Sequence, residues 1–175
     1  MKETTVNRSG KVSELIAFNI GEQQFCLCTS SVREIRGWTP ATPLPHAPEF
    51  VLGVVNLRGV VLPIVDLAVR LGFPPTQPTA RHAIIVVEVG SQVAGLLVDG
   101  VSDIFTAEDS QIQPTPEIAA ETAKLYLRGV IATDGRLIGV IDIANLLGDR
   151  TRRRLKRRGP ATLRDEAATQ SGHSY

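Results

Sequence analysis

Aromatic residues make up only 5% of this 175-residue sequence, whereas hydrophobic residues as a whole make up 43%. A core must therefore be built from valine, isoleucine, leucine and alanine, and the many valines and isoleucines favour strands. No apolar run approaches the roughly 20 residues of a membrane span. The polar first residues, 1–11, also lack the hydrophobic stretch of a signal peptide. These absences predict a globular, cytoplasmic protein that does not insert into a membrane.

The chain contains only two cysteines, Cys26 and Cys28, and their spacing places them on one face of a strand. Neighbours on one strand are poorly placed to form a disulfide, and no second pair of cysteines or histidines completes a zinc site. We interpret both as small apolar residues and expect neither a metal nor another cofactor.

Sequence motifs of common enzymes are also missing. The chain has no GxxxxGK phosphate loop, no GxGxxG dinucleotide fingerprint, no GxSxG nucleophile elbow and no HExxH zinc motif. The three histidines, His46, His82 and His173, are scattered, and none is spaced from a cysteine or carboxylate like a catalytic base. No catalytic residue is predicted, and we expect the chain not to be an enzyme.

The net charge of +1 hides an asymmetry along the chain. Seven basic residues lie within positions 150–158, which leaves a net charge of about −6 on the rest. We predict a disordered arm over 1–12, a folded region over 13–149, and a basic, disordered tail over 150–175. The tail is expected to bind an acidic surface, such as another protein or anionic lipid, or else to serve solubility alone.

Short apolar segments separated by turn residues run through the folded region. Pairs of such segments flank Gly21-Glu22, Leu57-Arg58, Gly90-Ser91 and Asp134-Gly135, which predicts four β-hairpins. Helix is expected only near 119–124 and 144–147. Because strands do not alternate with helices, the pattern predicts an all-β barrel or sandwich.

An internal repeat organises these hairpins. Residues 53–72 align with 129–148 without a gap at an offset of 76, and seven of the twenty positions are identical. Residues 15–35 align with 84–104 at an offset of 69. We call positions related by these offsets twins.

The repeat predicts two related β units, from about 13–78 and 79–149. It leaves open whether each unit folds from its own segment or exchanges a strand with the other. The twins Asp66 and Asp142 each end a strand, where an aspartate caps a short helix. Their repetition indicates a structural role.

The twins also provide an internal control for function, because positions that differ between halves are free to specialise. One hairpin turn reads Asn56-Leu57-Arg58-Gly59, whereas its twin has ordinary Asp-Gly turn chemistry. An exposed leucine beside an arginine suits a protein contact. The alternative is that Leu57 folds back on the core and Arg58 pairs with a local carboxylate.

The sequence resembles the CheW family, the coupling proteins of bacterial chemotaxis, over nearly the whole folded region. The segments that carry the resemblance are LIAFNIGEQQF, VREIRG, GVVNLRGVVLPIVDL, GLLVDGVSDI and LRGVIATDGRLIGVIDIANLL. The resemblance implies two similar five-stranded, SH3-like β-barrels packed together, with a short C-terminal helix. It also implies a non-catalytic adaptor that joins methyl-accepting chemotaxis receptors to the regulatory domain of the kinase CheA, with possible self-association in array rings.

Family positions carried over to this sequence predict two sets of contacts. The predicted receptor contacts are Val32, Glu34, Ile35, Gly53, Asn56, Leu57, Arg58 and Ile104. The predicted kinase contacts are Gln113 and Ile118, where relatives carry a basic residue and an aromatic. That departure predicts a weaker or altered contact with CheA.

A nucleic-acid-binding pair of β-barrels with a basic tail is the main alternative function. Such a protein needs basic and aromatic residues on a barrel face. The acidic body and the scarce aromatics oppose this alternative, and no nucleic-acid partner is expected.

Overall fold

The computed structural model describes residues 10–116 and 121–147. In this part of the chain, ten strands form two five-stranded sheets, which confirms the predicted all-β class. The strands are β1 Val12–Ile20, β2 Gln23–Cys28, β3 Val32–Gly37, β4 Val51–Leu57, β5 Val60–Asp66, β6 Ala83–Val89, β7 Gln92–Val98, β8 Gly100–Glu108, β9 Leu127–Thr133 and β10 Arg136–Ile141. The α-helices are α1 Leu67–Arg70, α2 Glu121–Tyr126 and α3 Ile143–Leu147, the last being the expected C-terminal helix.

Each sheet takes strands from both halves of the repeat. Sheet I has the order β8-β1-β2-β10-β9, and sheet II has the order β3-β6-β7-β5-β4. The first hairpin of each half therefore joins the three remaining strands of the other half. Parallel pairing of β10 with β2 and of β5 with β7 joins the exchanged hairpins to their new sheets. The two halves therefore exchange strands, and neither sheet is built from one half alone.

Twin positions make equivalent backbone bonds in the two sheets. Val54 exchanges both of its backbone hydrogen bonds with Thr42, at 2.8 and 2.9 Å, and its twin Val130 does so with Gln113, at 2.8 Å each. Asp66 caps α1 by accepting from the Ala68 amide, and its twin Asp142 caps α3 by accepting from the Asn145 amide. The predicted helix-capping role of both aspartates is confirmed.

The central strands of the two sheets are buried on both faces over much of their length, which is why apolar residues run through them with little interruption. Ile16 and Phe18 of β1 join a cluster that packs sheet I against sheet II, together with Ile85 and Val87 of β6. The alternate residue Leu15 belongs to a second cluster within sheet I. A third cluster lies within sheet II around Leu62, Ile64, Ile84, Val86 and Leu97. Alternate side chains thus divide between a shared core and one core for each sheet.

Arg70 of α1 contacts residues from both halves of the repeat at the shared core. Its guanidinium carbon lies 4.1 Å from the ring centroid of Phe50 and 4.6 Å from that of Phe50's twin, Tyr126. The guanidinium also donates a 3.1 Å hydrogen bond to the Leu146 carbonyl of α3. One cation therefore connects elements from both halves.

Replacement of Arg70 by methionine is expected to lower the free energy of unfolding by about 2 kcal/mol, because the cation–π contacts and the charged hydrogen bond are lost. Methionine retains most of the apolar stem. Urea denaturation measures the change, with Arg81→Met as an exposed control expected to have little effect. Equal stability of the parent and the Arg70 variant would show that these contacts do not stabilise the fold.

Candidate partner-binding site

The β4–β5 hairpin ends in a tight turn with two residues at positive φ. Arg58 has φ of 51° and Gly59 has φ of 85°, and the twins Asp134 and Gly135 have φ of 49° and 73°. Asn56 stabilises the first turn by accepting the Gly59 amide hydrogen with its side-chain oxygen at 2.9 Å. The backbone geometry is therefore common to both turns, whereas the side chains at the tip differ.

The Arg58 side chain extends from the turn toward strand β3, where it forms an ion pair and a hydrogen bond with Glu34. The second Glu34 oxygen lies 3.5 Å from the guanidinium of Arg36. Arg58 nevertheless remains 70% exposed, while Glu34 is 29% exposed. An exposed pair of this kind contributes little to stability, roughly 1 kcal/mol or less, so it chiefly orients the arginine.

The ion pair lines a depression of about 80 Å³, together with apolar side chains. We call it the Arg58 depression, and its lining residues are Arg33, Glu34, Leu57, Arg58, Val60, Leu62, Val86 and Val93. Leu57 is half-buried and packs against the core of sheet II. The prediction of an exposed Leu57 is wrong, because its side chain folds back on the core. Both features of the alternative interpretation, a packed Leu57 and a paired Arg58, are present.

Sheet I contains a twin depression of about 110 Å³ with different chemistry. Asp134 takes the place of Arg58, Thr133 that of Leu57, and Asp103 that of Glu34. Arg136, the twin of Val60, donates a 2.9 Å hydrogen bond to Gln24. The two tips thus share one backbone but differ in charge and in apolar content.

The structure brings three of the predicted receptor contacts together, Glu34, Leu57 and Arg58. Ile35, 44% exposed, follows Glu34 on β3, so its side chain points to the opposite face of the strand. Ile104, 56% exposed, lies on β8 at the edge of sheet I. Ile35 and Ile104 are twins, and each is exposed to solvent on an edge strand of its sheet.

Val32 and Gly53 are less exposed than Ile35 and Ile104. Val32 is half-buried and packs against the core between the sheets. Gly53 is buried, and a Cβ atom there would lie 2.3 Å from the Thr42 carbonyl oxygen. Its twin Gly129 has the same relation to Gln113 at 2.2 Å. Because both twins make the same close backbone contact, we infer that Gly53 has a packing role. Gly53 would then affect a partner indirectly, through the packing of the loop beside it.

The predicted kinase-contact region is only partly described. Gln113 is exposed and pairs through its backbone with Val130. Ile118 lies outside the described residues, as does the basic segment 150–158. Both predictions about these residues stay predictions.

Burial, reinforced by nearby Cys28, raises the pKa of the Cys26 thiol to about 12, so it stays protonated and apolar near neutral pH. Within residues 10–116 and 121–147, no three His, Cys, Asp or Glu side chains are grouped to hold a metal ion. No helix in these ranges is long and apolar enough to cross a membrane.

Sequence reasoning did not identify the arginines that surround Glu34. Arg33 lines the depression and pairs with Glu88 at 3.6 Å, while Arg36 pairs with Glu34. The alternation of charge in VREIRG carries this signal, because Glu34 and Arg36 share one strand face. Their pairing with Arg58 depends on strand neighbours that the sequence does not reveal.

Comparison with known proteins shows a common architecture and sequence pattern. Residues 14–151 match the family model of the CheW-like domain. This chain belongs to the CheW family. The "Chemotaxis protein CheW" of Rhizobium meliloti (strain 1021) is 59% identical over 130 residues, covering 74% of this chain and 84% of the relative.

More distant CheW proteins align over a similar span. The "Chemotaxis protein CheW" of Klebsiella aerogenes is 37% identical over 134 residues, covering 77% of this chain and 81% of the relative. The crystal structure of the scaffolding protein TtCheW from Thermoanaerobacter tengcongensis superposes with a TM-score of 0.71 at 30% identity. It covers 80% of this chain and 95% of the solved chain. The match to the CheW-like family model ends at residue 151, so most of the basic segment lies beyond the matched residues.

Proposed function

We propose that this chain is a non-catalytic chemotaxis adaptor that couples methyl-accepting receptors to the histidine kinase CheA and supports assembly of the signalling array. The receptor tip binds at the Arg58 depression, and the regulatory domain of CheA binds elsewhere on the chain. In this role the protein is cytoplasmic and associates with membrane-bound receptor arrays through its partners.

The observation that carries the proposal is the specialised turn at Arg58. The fold does not need an arginine there, because Asp134 occupies the same backbone conformation in the twin turn. Glu34 orients the guanidinium beside a depression that apolar side chains line in part, while leaving Arg58 70% exposed. A positioned arginine beside apolar side chains is a combination typical of binding hot spots.

Replacement of Arg58 by alanine is expected to weaken binding of a receptor cytoplasmic tip by about 2 kcal/mol, because a charge-assisted contact is lost. This corresponds to roughly a thirtyfold rise in the dissociation constant. Titration calorimetry with a purified receptor tip measures the affinity, and thermal melting reports folding.

The matched control is Asp134→Ala, which truncates the twin position and should leave receptor affinity unchanged. An Arg58→Ala protein that melts like the parent and binds like the parent would place the receptor site elsewhere. A large loss of melting temperature would instead make Arg58 a structural ion-pair partner of Glu34.

The coupling half of the proposal concerns CheA. The exposed Gln113, and Ile118 five residues further along the sequence, occupy the positions inferred from the family to contact the kinase. Because Gln113 lacks a charge, the contact would depend on apolar packing more than on ion pairing. Pull-down of the CheA regulatory domain, with Ile118→Ser compared with the parent, tests this assignment. Self-association in array rings would use the same surfaces.

A nucleic-acid-binding function makes a different prediction. It requires salt-sensitive retention of the chain on DNA or RNA, whereas the adaptor should co-sediment with receptor-containing membranes. The coupling proposal fails if only the first behaviour occurs.

A further inference from the structure

The depression of sheet I repeats the Arg58 depression almost residue for residue. We call it the Asp134 depression, and seven of the eight residues that line it are twins of residues that line the Arg58 depression. The eighth is Phe105, where the Arg58 depression has Arg33. The fold therefore builds the same depression twice, and differences between the two sets of side chains are free to serve binding.

The Arg58 depression shows which chemical group its lining carboxylate binds. The carboxylate of Glu34 pairs through one oxygen with the guanidinium of Arg58, which reaches it from the hairpin tip. Its other oxygen pairs with the guanidinium of Arg36, two residues further along β3. In sheet II, the chain itself thus supplies two guanidinium groups to this carboxylate.

The twin carboxylate in sheet I, that of Asp103, is not supplied in the same way. At the hairpin tip, Asp134 stands where the other half has Arg58. Two residues after the carboxylate, Phe105 stands where the other half has Arg36. Both guanidinium groups that surround Glu34 are therefore replaced in sheet I, one by a second carboxylate and one by an aromatic ring.

The charged side chains of the Asp134 depression leave it with a net negative charge. Asp103 and Asp134 contribute two carboxylates, and Arg136 contributes one cation. The Arg136 guanidinium donates a 2.9 Å hydrogen bond to the side-chain oxygen of Gln24. Within residues 10–116 and 121–147, no cation lies within ion-pair distance of either carboxylate. The two carboxylates thus lack the counter-ion that Glu34 has in sheet II.

Apolar side chains complete the Asp134 depression and favour one kind of cation. Phe105 is half-buried and packs against the core of sheet I, and Ile138 is buried. An aromatic ring favours a guanidinium over an ammonium group, because the planar guanidinium stacks on the ring and is more weakly hydrated. The depression measures about 110 Å³, against about 80 Å³ in sheet II, so it offers more space to an incoming side chain.

We propose that the Asp134 depression binds an arginine side chain presented by a partner protein. The guanidinium pairs with Asp103 and Asp134 and stacks on Phe105. Charge complementarity favours this occupant, because a neutral or acidic side chain would leave both carboxylates without a counter-ion. The site lies in sheet I, whereas the proposed receptor contact at Arg58 lies in sheet II.

NMR titration of the full chain with two short peptides tests the proposal. One peptide has a single arginine between alanines and glycines, and the other has lysine in its place. The arginine peptide should shift the amide signals of Phe105, Asp134 and Gly135. It should also bind about fivefold more tightly than the lysine peptide, because the ring prefers a guanidinium. Phe105→Leu should remove this preference, since it keeps the carboxylates but not the ring.

Asp134→Arg places in sheet I the side chain that sheet II carries at the twin position. Arg58 and Asp134 have φ of 51° and 49°, so the turn should accept this change. The new guanidinium should pair with Asp103, as Arg58 does with Glu34, and abolish binding of the arginine peptide.

A milder pair of variants separates the site from the overall charge of the protein. Asp134→Asn should weaken binding of the arginine peptide about fivefold, because one ion pair is lost. Glu49→Gln removes the same charge from an exposed residue outside the depression, and it should leave binding unchanged. Thermal melting shows which variants fold, and Asp134→Asn decides the question if Asp134→Arg does not.

Three results would overturn the proposal. The first is equal affinity of the parent for the two peptides, or equal weakening by Asp134→Asn and Glu49→Gln. The second is a set of amide shifts centred on Glu34 in place of Asp134. The third is salt-sensitive self-association of the parent in analytical ultracentrifugation that Arg58→Ala and Asp134→Asn each abolish. The arginine would then come from a second copy of this chain and not from a partner protein.

Discussion

Replacement of Gly53 by alanine is expected to lower the free energy of unfolding by about 3 kcal/mol, a large part of the stability of a small domain. The added Cβ would lie 2.3 Å from the carbonyl oxygen of Thr42 and 2.6 Å from its carbonyl carbon. These are backbone atoms, so no side-chain rotation relieves the clash. Gly53 also has φ of 149°, a conformation that L-residues rarely adopt.

Its twin provides a second test of the same packing. Gly129→Ala would place a Cβ 2.2 Å from the Gln113 carbonyl oxygen, and we expect a similar loss of stability. Gly37→Ala is the control, because a Cβ there meets nothing within 4 Å and the change should be nearly neutral. Urea denaturation of the three variants measures the differences.

This result bears directly on the family-derived assignment of Gly53 to receptor binding. If Gly53→Ala loses stability as Gly129→Ala does, any loss of receptor affinity follows from displacement of the Thr42 loop beside the Arg58 hairpin. If Gly53→Ala is as stable as the parent but binds receptor weakly, the packing argument fails and Gly53 is a contact residue.

The hairpins could be predicted because each turn depends on a few residues that are adjacent in the sequence. The twin relations could be predicted because the segments of the two halves align without a gap. The turns at Gly21, Gly90 and Gly135 are specified by a few residues each, and all three glycines have positive φ. The exchange of hairpins could not be predicted in this way. It depends on the pairing of β10 with β2, which joins Ile138 to Gln24 across more than half of the chain. A gapless alignment shows which segments are equivalent, but it does not show which equivalent segment pairs with which neighbour.

Strand β8 was missed for a different reason. None of the four predicted hairpins includes it, yet Gly100–Glu108 is a continuous strand paired with β1. Ser102, Asp103 and Thr106 make it polar, because an edge strand has one side in solvent. Polar edge strands lack the hydrophobic alternation on which sequence patterns depend.

The candidate site was predicted in part. The contrast between Arg58 and Asp134 is visible in the sequence, since the repeat aligns the two turns. The packing of Leu57 and the pairing of Arg58 with Glu34 are not visible, because they depend on β3 lying beside β6 at the edge of sheet II. A repeat thus identifies where function departs from fold, and the structure supplies the contacts.

Replacement of Asp66 by alanine is expected to lower the free energy of unfolding by about 3 kcal/mol. Asp66 is fully buried, and its carboxylate accepts three hydrogen bonds. The donors are the Ala68 amide at 3.2 Å, the Thr76 hydroxyl at 2.8 Å and the Thr76 amide at 2.8 Å. Thr76 lies in the proline-rich connector after α1, so this carboxylate both caps a helix and anchors the link between the halves. Alanine leaves all three donors without their acceptor.

Asp142→Ala is the matched control, because at α3 the Asp142 side chain caps the helix by accepting a bond from the Asn145 amide at 3.1 Å. The loss of such a cap costs about 1 kcal/mol. Asp66→Asn should be nearly as harmful as Asp66→Ala, since an amide keeps one acceptor but places N–H groups against a Thr76 donor. Hydrogen exchange provides the second measurement, and the Thr76 amide should lose its protection in both Asp66 variants. Equal destabilisation by Asp66→Ala and Asp142→Ala, with Thr76 still protected, would reduce Asp66 to a helix cap and leave the connector held by other contacts.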